Sequence, residues 1–94
     1  MVLILHVPGA SPEALARGLA VAQEVLTEAG ISVAEAALGY RTRARAVSDA
    51  ASSFVTDDTV QAAAAFSLAQ AAAIDTCCEG KPAPAGSRLQ ALDA

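Results

Sequence analysis

The 94-residue sequence predicts a small layered α/β protein in which a mostly parallel sheet is flanked by helices. The first observation is the opening run, residues 1–7, whose two alternating faces are both apolar except at His6. A strand of this kind is typically covered on both sides. The second is a long amphipathic helix, predicted over residues 12–29. The third is the apolar start of residues 31–38, which follow that helix and are predicted as a strand. A β–α–β order favours parallel pairing with a right-handed crossover.

The first helix is predicted over residues 12–29. A Pro-Gly-Ala turn at residues 8–10 leads to Ser11, which suits the N-cap, and a proline follows at the first helical position. Apolar residues then recur at helical spacing along one stripe. Gly30 stands where helices commonly end in a left-handed residue. Gly18, inside this helix, either lowers its stability slightly or permits close packing.

The rest of the chain is predicted to continue in shorter segments. They are a strand at 31–38, a helix at 41–51, a strand or plain connection at 52–55, an alanine-rich helix at 59–73 and a strand at 74–78. Asp58, with Gln61 three residues later, fits a capping box at the start of the alanine-rich helix. Residues 1–81 are therefore assigned to one α/β domain. Residues 82–94 are interpreted as a Pro/Ala-rich linker and a short C-terminal helix capped by Ser87.

The composition limits the classes of function. Ten Asp and Glu residues against six Lys and Arg give a net charge of −4, so no nucleic-acid partner is expected. No apolar run approaches the roughly 20 residues that span a bilayer. No basic segment precedes the N-terminal apolar run as it would in a signal peptide, so we expect a cytoplasmic protein without a membrane partner. A hydrophobic content of 54% is high for a small monomer and favours a homo-oligomer.

The adjacent pair Cys77 and Cys78 is the main candidate for chemistry. At the end of a predicted strand, the pair would lie at the carboxyl edge of the sheet, where parallel α/β sheets hold their ligand sites. A thiolate there would act as a nucleophile or carry a sulfur atom, with Lys81 or a nearby helix N-terminus lowering its pKa. Alternatively, both cysteines are small buried hydrophobic residues. Two sulfurs and one histidine do not make a zinc site, so neither a metal nor a cofactor is expected.

His6 and Arg41 are the remaining candidates for binding. His6 ends the first predicted strand, at the same sheet edge as the cysteines, where it would exchange a proton or orient a thiol. Arg41, together with Arg43 and Arg45, would bind an anion at the end of the second predicted strand. The alternatives are a partly solvated histidine at a strand end and a solvated, positively charged helix face.

Three segments together resemble the DsrE-like family of small sulfur-relay proteins. They are the strand at 2–7 leading into the helix start at 11–15, the glycine-terminated strand at 31–39, and residues 72–80 with their late cysteines. The resemblance implies a flavodoxin-like fold, assembly into trimers or hexamers and, in some members, a cysteine that carries persulfide sulfur. By position it assigns that role to Cys78, with Cys77 assisting. The chain departs from the family in having Gly80 where an asparagine is common, and in lacking the further strand of longer members.

The function that these observations predict is sulfane-sulfur transfer by a small cytoplasmic DsrE-like protein. In this hypothesis, the Cys78 thiolate takes sulfur from a persulfide donor protein and passes it to the thiol of an acceptor protein. The alternative is a non-catalytic oligomeric α/β scaffold or interaction module, which the alanine-rich helices and high apolar content favour. A third hypothesis, binding of a small ligand or anion, depends on His6 and the arginines.

Overall fold

The opening strand, β1 (Val2–His6), pairs with a strand at the other end of the chain, β2 (Arg88–Leu92). The pairing is antiparallel. It is seen in a computed structural model that describes residues 1–49 and 56–92. The short C-terminal helix predicted after Ser87 is therefore wrong, because this segment is extended and paired with β1, and the Leu89 backbone N–H donates a hydrogen bond to Oε1 of Gln70 on the third helix at 3.0 Å.

Only one face of this two-stranded sheet is buried. Leu3 and Leu5 of β1 are 6% and 5% exposed and, with Leu89 of β2, form part of the core. Val2 and Ile4 point to the opposite face, as alternate residues of a strand do, and remain 49% and 41% exposed. The expectation that β1 is covered on both sides is therefore wrong for the single chain.

Helix α1 (Pro12–Ala29) has the bounds that the sequence predicts. The Ser11 side-chain oxygen accepts a hydrogen bond from the Ala14 backbone N–H at 3.2 Å, which satisfies one of the free donors at the helix start. At the other end, Gly30 adopts a φ of 71° and donates its N–H to the Thr27 carbonyl at 3.0 Å. The predicted N-cap and left-handed C-cap are both confirmed.

Helix α2 (Val33–Asp49) begins within the segment that was predicted as the second strand, residues 31–38. The prediction of a strand is wrong for a local reason. The Ser32 hydroxyl oxygen accepts a hydrogen bond from the Glu35 backbone N–H at 3.1 Å, which caps a helix. The alanines that follow also favour a helix over a strand.

Helix α3 (Asp57–Cys78) is longer at both ends than the alanine-rich helix predicted over residues 59–73. Its N-cap is Thr56, whose hydroxyl oxygen accepts a hydrogen bond from the Thr59 backbone N–H at 3.2 Å. The capping box predicted from Asp58 is therefore wrong, since that residue already lies in the first turn. There its carboxylate is close to the positive end of the helix dipole.

Small residues allow α3 to pack closely against both α1 and α2. Gly18 of α1 faces Leu5 and the backbone of Ala73, and a Cβ added at this glycine would lie 2.5 Å from the Leu5 Cδ2 and 2.7 Å from the Ala73 carbonyl oxygen. Gly39 of α2 faces Ala62, whose Cβ would lie 2.6 Å from an added Cβ. Of the two alternatives for Gly18, close packing is confirmed.

Over the described residues the fold is mostly helical, with 65% helix, and its sheet has two antiparallel strands. The predicted α/β class, with a mostly parallel flavodoxin-like sheet flanked by helices, is therefore wrong. The parallel sheet does not form because the segments predicted as its further strands are helical, so β1 has no nearby strand to pair with. The helix predicted over residues 41–51 is confirmed as far as Asp49, and residues 52–55 lie outside the described part of the chain. None of the described helices combines the length and the apolar character needed to cross a bilayer.

Candidate functional site

The two cysteines lie in the last turn of α3 and not at the end of a strand. The final strand predicted at residues 74–78 is wrong, because the helix continues until Glu79 ends it in a left-handed conformation. The sequence does carry a signal for the longer helix, since no proline or glycine interrupts it before Gly80. The cysteines are thus not at the carboxyl edge of a parallel sheet, where the ligand sites of α/β proteins lie.

Cys77 faces the core, whereas Cys78 is partly exposed. Cys77 is 6% exposed and belongs to the apolar cluster that joins the sheet to the helices. Burial raises the pKa of the Cys77 thiol above its ordinary value, the neighbouring Cys78 raises it further, and the Arg17 guanidinium opposes these effects. The negative end of the helix dipole also disfavours a thiolate at this position. Cys77 is therefore a protonated, weakly nucleophilic thiol at neutral pH.

The residues that follow the cysteines form a helix cap. Gly80 donates its N–H to the Asp75 carbonyl at 3.1 Å, and Glu79 donates its N–H to the Thr76 carbonyl at 3.3 Å, which is the Schellman pattern. Glu79 itself has a φ of 54°, a conformation that favours glycine. Its carboxylate oxygen lies 3.6 Å from Nη2 of Arg17 in an exposed ion pair, which contributes little to stability.

The other predicted site residues do not gather around the cysteines. His6 is exposed at the end of β1, opposite Arg88 of β2. Lys81 is exposed, and its backbone N–H donates a hydrogen bond to the Cys78 carbonyl at 3.0 Å. Arg41 lies on α2 at the mouth of a cleft. The described His, Cys, Asp and Glu side chains form no cluster of three or more that would suit a metal ion.

The outer face of the sheet is an apolar surface to which sequence reasoning assigned no function. Val2, Ile4 and Leu92 form what we call the outer sheet patch, and they are 49%, 41% and 47% exposed. The patch is continuous across the two strands because Val2 is the register partner of Leu92. The sequence signal for it is the apolar character of both alternating faces of residues 1–7.

Comparison of the chain with protein-family models, with curated proteins and with solved structures finds no match. The resemblance to DsrE-like proteins therefore gains no support from these comparisons. The flavodoxin-like fold that the resemblance implies is also replaced by a helical one.

Proposed function

We propose that this protein is a non-catalytic interaction module that self-associates through the outer sheet patch. The observation that carries the proposal is the exposure of three large apolar side chains, Val2, Ile4 and Leu92, on one face of the sheet. In a single chain these side chains are hydrated. Their burial against a second copy removes apolar surface from water, which is the main driving force of protein association.

The environment of the cysteines favours a structural role over sulfur transfer. Cys77 is buried, its thiol has a raised pKa, and Cys78 packs partly against the same apolar core. A sulfur carrier needs an accessible thiolate, usually beside a positive charge or at a helix N-terminus. Here the pair stands at a helix C-terminus, where the dipole has the opposite sign. We therefore do not propose sulfur transfer for this chain.

The layout of the patch favours a second copy as the partner. Val2 and Leu92 lie opposite one another at one end of the sheet, whereas His6 and Arg88 lie at the other end. A two-fold axis close to the Val2–Leu92 pair would bring two apolar ends together and keep the two Arg88 guanidinium groups apart. Such an isologous contact closes after two copies, so the expected assembly is a dimer.

The expected dimer is weak because the sheet is small. A strand of five residues extends about 17 Å at about 3.4 Å per residue, and the two strands lie about 4.8 Å apart. This surface is smaller than the roughly 800 Å² per partner of a standard interface, so we expect a dissociation constant of about 10 μM to 1 mM. The net charge of −4 on each copy opposes association, and salt reduces that repulsion.

Sedimentation equilibrium over a range of protein concentrations tests the proposal. The unmodified protein is compared with Ile4→Lys, which places a charge within the patch, and with the matched control Leu68→Lys. Leu68 is 61% exposed on α3, away from the patch. We expect the unmodified protein and Leu68→Lys to dimerise with the same dissociation constant, and Ile4→Lys to remain monomeric with unchanged helical circular dichroism.

Two results would overturn this proposal. The first is an unmodified protein that remains monomeric up to about 1 mM, the weak end of specific association. The second is a dimer that persists in Ile4→Lys and dissociates in Leu68→Lys, because it would place the interface on the helical side of the molecule.

A further inference from the structure

A cleft opens where α2 and α3 meet the end of β2. Its volume is about 280 Å³, close to the lower limit of the roughly 300–1,000 Å³ that small-molecule pockets occupy. The residues that line it are Ala37, Tyr40 and Arg41 of α2, Phe66 of α3, and Gln90, Ala91 and Leu92 of β2. We call it the Arg41 cleft. Three separate elements supply its walls, so the folded chain builds the cleft and no single helix does.

The floor of the Arg41 cleft is apolar and well packed. Phe66 and Ala37 are each 3% exposed. The rings of Tyr40 and Phe66 lie 4.7 Å apart at an interplanar angle of 37°, a tilted arrangement typical of aromatic pairs. This contact fixes the orientation of the Tyr40 ring, which forms one wall. The cleft therefore offers a rigid aromatic surface to an apolar ring or a branched chain.

The rim of the cleft is polar and its groups are available to a ligand. Arg41 is exposed, and Tyr40 and Gln90 are half-buried. The side chains of Arg41, Tyr40 and Gln90 make no hydrogen bond or ion pair with any other described residue. A guanidinium group without a carboxylate partner, beside an aromatic wall, is suited to bind a planar carboxylate through two parallel N–H donors.

We propose that the Arg41 cleft binds a small carboxylic acid that has an aromatic or branched aliphatic body. The carboxylate pairs with Arg41 at the rim, and the apolar body packs on Tyr40 and Phe66. An acid is favoured over an amine because the charged group of the cleft is a cation. It is favoured over a neutral ligand because a carboxylate accepts charge-assisted hydrogen bonds from the Arg41 guanidinium, which outweigh the weak long-range repulsion from the net charge of −4.

The Arg41 cleft adjoins the proposed dimer interface, because Leu92 belongs to both and Gln90, at the rim of the cleft, is the register partner of Ile4. The outer sheet patch lies on β1 and β2, whereas the charged and aromatic groups of the cleft lie on α2 and α3. A monomeric protein can therefore bind the acid, and a dimeric protein can lack this affinity. Binding is measured at a protein concentration at which sedimentation shows a single species, so that the two proposals succeed or fail separately.

The test is an amide NMR titration with phenylacetate, repeated with its neutral amide, phenylacetamide. We expect phenylacetate to shift the amide signals of residues that line the cleft, and phenylacetamide to bind about tenfold more weakly or less. Arg41→Gln removes the charge and should weaken phenylacetate binding by about the same factor. Arg45→Gln is the matched control, since it makes the same change one helical turn away at an exposed position outside the cleft, and should bind normally.

Three outcomes would overturn the assignment. The first is the absence of shifts at the cleft at about 10 mM phenylacetate, well above the millimolar limit of weak binding. The second is equal binding of the acid and the amide, or an unchanged affinity in Arg41→Gln. The third is a shift of the Ala37, Tyr40 and Phe66 amide signals on raising the protein concentration without any acid. These residues lie on the helices and outside the outer sheet patch, so the occupant of the cleft would then be another copy of the chain.

Discussion

The Cys77 thiol lies in the last turn of α3 and packs into the apolar core at 6% exposure. Removing its proton would place a negative charge in a poorly hydrated environment, next to Cys78 and at the negative end of the helix dipole. Arg17 reduces this effect, but its guanidinium is 54% exposed and already paired with Glu79. The folded state therefore holds the proton more tightly than the unfolded chain does.

We predict that the free energy of unfolding falls as the pH rises through the range in which Cys77 ionises. The pKa is raised from 9.0 on folding, so the contribution is complete at neutral pH and is lost as the pH rises through the folded pKa. The fall cannot exceed about 1.4 kcal/mol per pH unit for one group. Urea unfolding between about pH 7 and 10 measures it.

The comparison variants for this prediction are Cys77→Ala and Cys78→Ala. Cys77→Ala should show a smaller fall with pH than the unmodified protein, because its folded state has no buried thiol to ionise. Cys78→Ala should retain a fall of the same sign. Equal pH dependence in the unmodified protein and Cys77→Ala would contradict the account of the Cys77 environment.

Single-residue signals in the sequence were informative where their action is local. Ser11 and Gly30 define the ends of α1 as predicted, because an N-cap and a left-handed C-cap depend on a few neighbouring backbone groups. The surroundings of Cys77 were not predictable in this way. Its burial depends on how the end of α3 packs against α1 and the sheet, which is a property of the whole fold.

At the scale of elements, two glycines determine how closely the helices approach. Gly18 brings α1 against the Ala73 backbone of α3, and Gly39 brings α2 against Ala62 of the same helix. Glycine inside a helix ordinarily lowers stability by about 1 kcal/mol relative to alanine. Here the missing Cβ is what allows the contact, so close packing outweighs helix propensity.

We predict that Gly18→Ala destabilises the protein by about 1–3 kcal/mol, although alanine is the better helix former. The added Cβ would lie 2.7 Å from the Ala73 carbonyl oxygen, and backbone cannot rotate away as a side chain can. Denaturant unfolding measures the change. Ala16→Gly, at an exposed position of the same helix, reports the effect of helix propensity alone. A more stable Gly18→Ala would show that α1 and α3 are farther apart than described.

The incorrect prediction of a strand at residues 31–38 shows that a helix-capping pattern predicts secondary structure better here than a short apolar run does. Ser32 followed by Glu35 is the S-x-x-E pattern of a helix start, and it stood in the sequence beside the apolar pair Ile31 and Val33 that suggested a strand. Short apolar runs fit a buried strand and a buried helix equally well. The capping pattern was the better guide here because its hydrogen bond is local.

At the scale of the whole molecule, the fold is closed by the pairing of β1 with β2. Leu5 and Leu89 are register partners, and both are buried beneath the same face of the sheet. The residues of β2 carry no strong strand signal of their own. Their conformation depends on a partner more than 80 positions away in the chain, so local patterns in the sequence could not predict it.

We predict that Leu89→Ala destabilises the monomer by about 2–5 kcal/mol, the usual range for a buried leucine. Leu89 is 3% exposed, so its removal leaves a cavity under the sheet. Leu92→Ala, at 47% exposure, should change stability by less than about 1 kcal/mol at low protein concentration. Thermal or urea unfolding measures both. Equally small effects of the two substitutions would contradict the packing of β2 against the core.

The outer sheet patch, as proposed above, joins two copies of the chain. An isotope-filtered NOE spectrum of a mixture of labelled and unlabelled protein can detect this interface, because the spectrum contains only contacts between different copies. We expect cross-peaks between copies among the methyl groups of Val2, Ile4 and Leu92, growing with protein concentration. Cross-peaks that instead join Leu38 and Leu68 on the helices, or no cross-peaks between copies at about 1 mM, would contradict the claim.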